Sequence, residues 1–172
     1  EDYTVTGEKD GDWYNELVTI TPTGDYTHIW TGSEWAESYV IQEGKDQPIT
    51  FKLCKLEDGR MVESTFLHEP LELSVDVTAP TGEISIGENG WKSFINTITF
   101  GLFFKEKVDV SISAEDAVSG VQTVEYLKTD SDMTLEELEQ AEGWKTGNSL
   151  SVLPDDRFVV YARITDNVGW VT

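Results

Sequence analysis

Four acidic residues have the type and placement to hold a cation. Asp76 lies in the stretch Asp76-Val77-Thr78-Ala79-Pro80, Glu115 and Asp116 close an alternating run, and Asp166 opens Asp166-Asn167-Val168-Gly169. Calcium takes about six to eight oxygen ligands from carboxylates, carbonyls and water, and linkers and turns commonly supply them. A linker and two turns are what these positions suggest, so a calcium ion that stiffens the joint between folded units is one expectation. The blander expectation, and the one the sequence favours, is a set of solvated acidic loops with no ion.

Other chemistry has less support. The two histidines, His28 and His68, have no second nitrogen or sulfur ligand at metal spacing, so a structural or surface role is expected of both. The single cysteine, Cys54, sits between Leu53 and Lys55 in an alternating run and reads as a small buried residue rather than a nucleophile. No nucleophile elbow, phosphate loop or EF-hand pattern occurs. A glycosidase needs two carboxylates facing each other across a cleft, and a small β domain seldom offers one. The expectation is no enzyme and no required cofactor. An internal Lys–Asn crosslink would need a lysine, an asparagine and a carboxylate buried together, and the strands do not display that trio.

Six tryptophans remain: Trp13, Trp30, Trp35, Trp91, Trp144 and Trp170. Exposed tryptophans stack on sugar faces in carbohydrate-binding modules, whereas buried ones dominate small cores. Packing is the expectation for most of them. Trp30 and Trp170 are the better ligand candidates, because the other four fall into repeated pairs described below.

Charge narrows the partners. The chain has 172 residues, with 33 acidic against 12 basic side chains and a formal charge of −21. Such a field repels phosphate backbones and anionic lipid, so nucleic acid and direct membrane insertion are excluded as expectations. One cysteine rules out an intrachain disulfide framework. No window approaches ~18 consecutive apolar residues. The chain starts abruptly at Glu1-Asp2-Tyr3, which reads as a piece of something longer.

The elements that must position these residues are strands. Short period-two runs rich in Val, Ile, Thr, Tyr and Phe occupy 3–7, 16–22, 26–30, 38–42, 49–56 and 71–77. After Pro80 they resume at 82–86, 108–115, 121–129, 150–153 and 157–165. Strands at this spacing predict an all-β fold of antiparallel sheets in a sandwich. The exception is 133–144, where Thr134 and Glu137 have capping-box spacing, Leu135 and Leu138 share a face, and Gly143 could close the helix. A two-turn helix inserted between strands is predicted there, packing over a sheet edge.

The second half repeats the first. Thr6-Gly7-Glu8 recurs as Thr81-Gly82-Glu83, followed by Trp13 and Trp91 respectively. The surroundings of Trp35 line up with those of Trp144, and a gapless match sets Phe51 on Tyr161 and Gly59 on Gly169. Two copies of one unit, 1–77 and 78–172, are expected. Pro80 separates them, because it lacks a backbone donor and holds Ala79 extended. The second copy stops soon after Gly169, so it is expected to lack its last strand and to leave an open edge suited to pairing.

These residues also carry a likeness. "DVTAPTGEI" (76–84), the block 87–116, "SGVQTVEYL" (119–127) and "VVYARITDNVGWVT" (159–172) resemble bacterial immunoglobulin-like (Big-type) modules of Gram-positive cell-surface proteins. The family's turn reads D-N-x-G-N, whereas here Trp170 follows Gly169. The resemblance covers most of the chain. It implies two tandem immunoglobulin-like β-sandwiches in a secreted, wall-attached bacterial protein, acting as a spacer or stalk that contributes to adhesion. Partners implied are neighbouring domains of the parent protein, and a glycan or a host or surface protein. A carbohydrate-binding module is the alternative.

Overall fold

A computed structural model describes residues 2–66, 70–87, 91–94, 107–153 and 158–172. His68 and much of the 87–116 block lie outside the described residues. Strands dominate, with one short helix. The chain divides into two compact units, Glu1–Thr78 and Ala79–Thr172.

Unit 1 contains β1 (Tyr3–Thr6), β2 (Lys9–Asp10), β3 (Trp13–Tyr14), β4 (Val18–Pro22), β5 (His28–Trp30) and β6 (Trp35–Ala36). It continues with β7 (Tyr39–Ile41), β8 (Gly44–Ile49), β9 (Lys52–Glu57), β10 (Arg60–Phe66) and β11 (Leu71–Val75). These pair in three sheets, ordered β1-β4-β7, β10-β9-β5-β6 and β2-β3-β11-β8. All pairings are antiparallel except β3 with β11. Val18, Ile20 and Ile41 of the first sheet meet Ile29 and Leu53 of the second and Ile49, Leu73 and Val75 of the third in one buried cluster. Each such side chain contributes about 1.5–3 kcal/mol by leaving water.

Unit 2 contains β12 (Thr81–Ile86), β13 (Trp91–Phe94), β14 (Val108–Glu115), β15 (Val121–Thr129), helix α1 (Leu135–Gln140), β16 (Lys145–Thr146), β17 (Ser149–Val152) and β18 (Val159–Asp166). The sheet orders are β13-β12-β14-β17 and β16-β15-β18. In β14 the alternation is complete: Val108, Val110 and Ile112 are buried while Asp109, Ser111 and Ser113 face water. β18 is apolar on both faces from Val159 to Ala162, and its packing explains why. Val160 joins Ile84, Val110, Val152 and Phe158 in one cluster, while Val159 and Tyr161 join Leu127 in another that Met133, Leu138, Ala141 and Trp144 cover.

The helix has its capping box, with the Glu137 N–H donating to Thr134 Oγ1 (3.2 Å) and the Thr134 N–H to Glu137 Oε2 (2.7 Å). Its six residues make close to the two turns predicted, but it closes differently. Ala141 ends it in extended geometry, so Gly143, although at φ +93°, lies beyond the cap. Leu138 packs down, but Leu135 is 73% exposed. The Tyr161 hydroxyl accepts the Met133 N–H at 2.8 Å and fixes the chain entering the helix.

The strand orders of the two units correspond. Sheet β1-β4-β7 has the connectivity of β12-β14-β17, and β9-β5-β6 that of β18-β15-β16. Unit 1 adds β2, β3, β8, β10 and β11; unit 2 adds β13 and α1. The residue matches need correction at three points. Thr6 ends its first strand, with Gly7 and Glu8 beyond it, whereas Thr81 begins the corresponding strand. Trp13 pairs with Ser74 in the third sheet of unit 1, whereas Trp91 pairs with Ile86, so the two are not equivalent. Trp35 and Trp144 do correspond, at the strand next to β5 and just before the strand next to β15.

The third correction is a one-residue slip. Phe51 and Leu53 face the unit 1 core, but their gapless matches Tyr161 and Arg163 lie on the opposite face from Val160 and Ala162. A single-residue offset inverts every side chain in a strand, so Val160 and Ala162 are the structural counterparts. The turn lengths account for it. Glu57 pairs with Arg60 across Asp58-Gly59, both at positive φ (49° and 76°), as a two-residue hairpin requires. In unit 2 the Asp166 N–H donates to the Trp170 carbonyl (3.1 Å) across three residues. The chain then returns along β18, with Val171 opposite Thr165 and Ile164 and Thr172 exchanging bonds at 3.0 Å. The end of β18 is therefore paired at Ile164 and Thr165.

Replacing the fully buried Phe158 with alanine should cost about 3–5 kcal/mol. Denaturant unfolding followed by amide signals should show the loss in unit 2 and leave unit 1 at its wild-type midpoint. Thr134→Ala should lower the stability of unit 2 by about 1 kcal/mol in the same measurement.

Candidate functional site

The sequence places four carboxylates at strand ends, and the fold shows what a carboxylate does there. A strand that stops must satisfy the N–H groups of the turn that follows, and an aspartate can accept them without leaving its own residue. In unit 1, Asp76 is fully buried just after β11. Its N–H donates to the Tyr14 carbonyl (2.9 Å), and its Oδ1 accepts the Thr78 N–H (3.0 Å). The Thr78 hydroxyl in turn donates to Glu43 Oε2 at 2.7 Å.

In unit 2 the pattern recurs twice. Asp116, half-buried after β14, accepts at Oδ1 from the N–H groups of Val118 (3.2 Å) and Gly120 (2.7 Å) and from Ser119 Oγ (3.4 Å). Asp166, fully buried at the end of β18, accepts at Oδ1 from Val168 (2.9 Å), Gly169 (2.8 Å) and Trp170 (2.9 Å). Its other oxygen, Oδ2, is buried and makes no hydrogen bond. Carboxylate oxygens of Asp116 and Asp166 lie within 4.8 Å of each other.

The two loops are tied together by a residue the sequence did not single out. The Asn167 N–H donates to the Gly120 carbonyl (3.0 Å), and its Nδ2 donates to the carbonyls of Ser119 (2.8 Å) and Gly120 (3.0 Å). Its place in an Asp-Asn turn was the available signal. Glu115 is exposed beside this pair, opposite Thr81 in the sheet. With Ala114, Asp116, Ala117 and Val121 it lines a shallow, open depression.

Among the tryptophans, Trp30 is half-buried and packs against Trp35 across the β5–β6 pair, centroids 4.7 Å apart and tilted by 44°. Trp30 is thus half of a cross-strand pair rather than an isolated platform. Trp170 is 40% exposed at the turn, held by its N–H on Asp166. The Arg163 guanidinium sits 4.4 Å over the Trp144 ring while its Nε donates to Glu125 Oε2 at 2.7 Å. That arrangement clamps β16, β15 and β18 at one place. His28 lies in β5 opposite Cys54, with Nδ1 2.8 Å from Thr27 Oγ1, and Cys54 is fully buried. Among the described residues, neither joins a cluster of three candidate metal ligands.

The chain matches no protein-family model, no curated protein and no solved structure.

Proposed function

We propose that this chain is a non-enzymatic spacer: two immunoglobulin-like β-sandwiches in series within a secreted bacterial surface protein. The single observation that carries this reading is the repeated strand order, with each unit supplying its own buried apolar cluster. A unit with its own core can be added to or removed from a series without exposing its neighbour's, which is the property a stalk needs. The D-x-T-A-P-like junction and the alternating strands of both halves support the same assignment. So does the charge of −21, which keeps a crowded, extended surface protein in solution. Wall attachment, a role in adhesion and the neighbouring domains of a parent protein are parts of the proposal that rest on the resemblance.

The carbohydrate-binding alternative would rest on Trp30 and Trp170. Cross-strand packing on Trp35 already gives Trp30 a structural task. Trp30→Ala should therefore destabilise unit 1 by about 1–2 kcal/mol, read from its unfolding midpoint. Glycan-array binding that disappears with this substitution would instead favour the sugar-binding role.

A spacer must bear load unit by unit. Pulling single molecules from both ends should give two separate unfolding events, releasing roughly 25 and 30 nm of chain. One combined rupture, or extension without a force peak, would contradict the proposal.

A further inference from the structure

Two side-chain atoms among the described residues of unit 2 are buried without a hydrogen-bond partner, Trp144 Nε1 and Asp166 Oδ2, and only the second belongs to a carboxylate. The Asp166 side chain is fully buried, three N–H groups converge on Oδ1, and Oδ2 has neither solvent nor a donor. A buried carboxylate oxygen without a partner is costly, and the cost grows when a second carboxylate stands close by. Asp116 is that second carboxylate, with an oxygen within 4.8 Å. Among the described residues no lysine, arginine or histidine forms an ion pair with either. The backbone of both loops is already fixed through Asn167, so the two groups cannot simply swing apart.

We propose that Asp116 and Asp166 are the carboxylate ligands of a calcium site at this end of unit 2. An ion there gives Asp166 Oδ2 its missing partner and cancels the repulsion between the two side chains. Ligand oxygens around one calcium, each about 2.3–2.6 Å from it, are at most about 5 Å apart, which the pair satisfies. The donors are all oxygen, which selects a hard cation over zinc or copper. Carbonyls and water complete the shell, with water entering from the shallow depression beside Glu115. Magnesium demands a tighter octahedron and releases water reluctantly, so it is the weaker occupant. The assignment is independent of the spacer role: a chain with any function could carry this site.

The test is calorimetry of the full chain in EDTA, in calcium chloride and in magnesium chloride, at matched ionic strength. Calcium should raise the melting temperature of unit 2 by at least about 5 °C over EDTA, and titration should give a saturable one-site heat. Asp166→Asn and Asp116→Asn keep an Oδ1 acceptor for the turn N–H groups and should each abolish the shift. Should one variant fail to fold, the other decides. No shift and no heat in the wild-type chain would overturn the proposal. A full calcium shift that persists in a folded variant would also overturn it, because it would report diffuse counterions around an acidic chain. An equal shift with magnesium would overturn the calcium assignment.

Discussion

Alternation is the constraint on which both units depend. A paired strand puts every second side chain on one face, so a sheet is stable in water only where those faces meet other apolar faces. Val18 and Ile20 in one half, and Val108, Val110 and Ile112 in the other, satisfy that condition within their own unit. Everything else is an adjustment to it. β18 breaks the alternation because helix α1 and its flanks cover the second face, and Tyr161 secures that cover through Met133. The two short loops that carry Asp116 and Asp166 start where strands β14 and β18 stop.

The strands with strong alternation were legible in the sequence, and the fold has them within two residues of the predicted ends, except that the run at 49–56 begins in β8 and its strand β9 starts only at Lys52. Weaker ones were not. β8, Gly44–Ile49, is polar and contains Pro48, which only an edge position tolerates, and it is indeed the last strand of its sheet. β10 was announced by Asp58-Gly59, a hairpin signal that the residue-by-residue repeat obscured. The repeat itself was readable in outline and wrong in register, since a turn longer by one residue shifts the matching faces without changing the pattern of residue types. Sequence comparison sees types; a sheet sees parity.

The candidate site was legible in its members and not in its geometry. Aspartates before turns are so common that their presence says little, and the sequence cannot show which oxygen is left over. That Asp166 spends Oδ1 on three backbone donors, while Oδ2 lacks one, emerges only when the chain is folded. The packing of Trp30 was not legible for a related reason. Its partner Trp35 lies across a turn rather than in a repeat, and cross-strand neighbours are set by register. The leucines of the helix show the same limit. Spacing put Leu135 and Leu138 on one face, but a six-residue helix presents too little surface to bury both.

A building block used twice, each copy with a self-sufficient interior, is the central claim. Its most direct measurement is a comparison of amide NMR spectra for residues 1–78 alone, 79–172 alone and the whole chain. The account predicts two dispersed spectra that together reproduce that of the whole chain, apart from residues near Thr78 and Ala79. Collapse of either piece to an undispersed spectrum would contradict it.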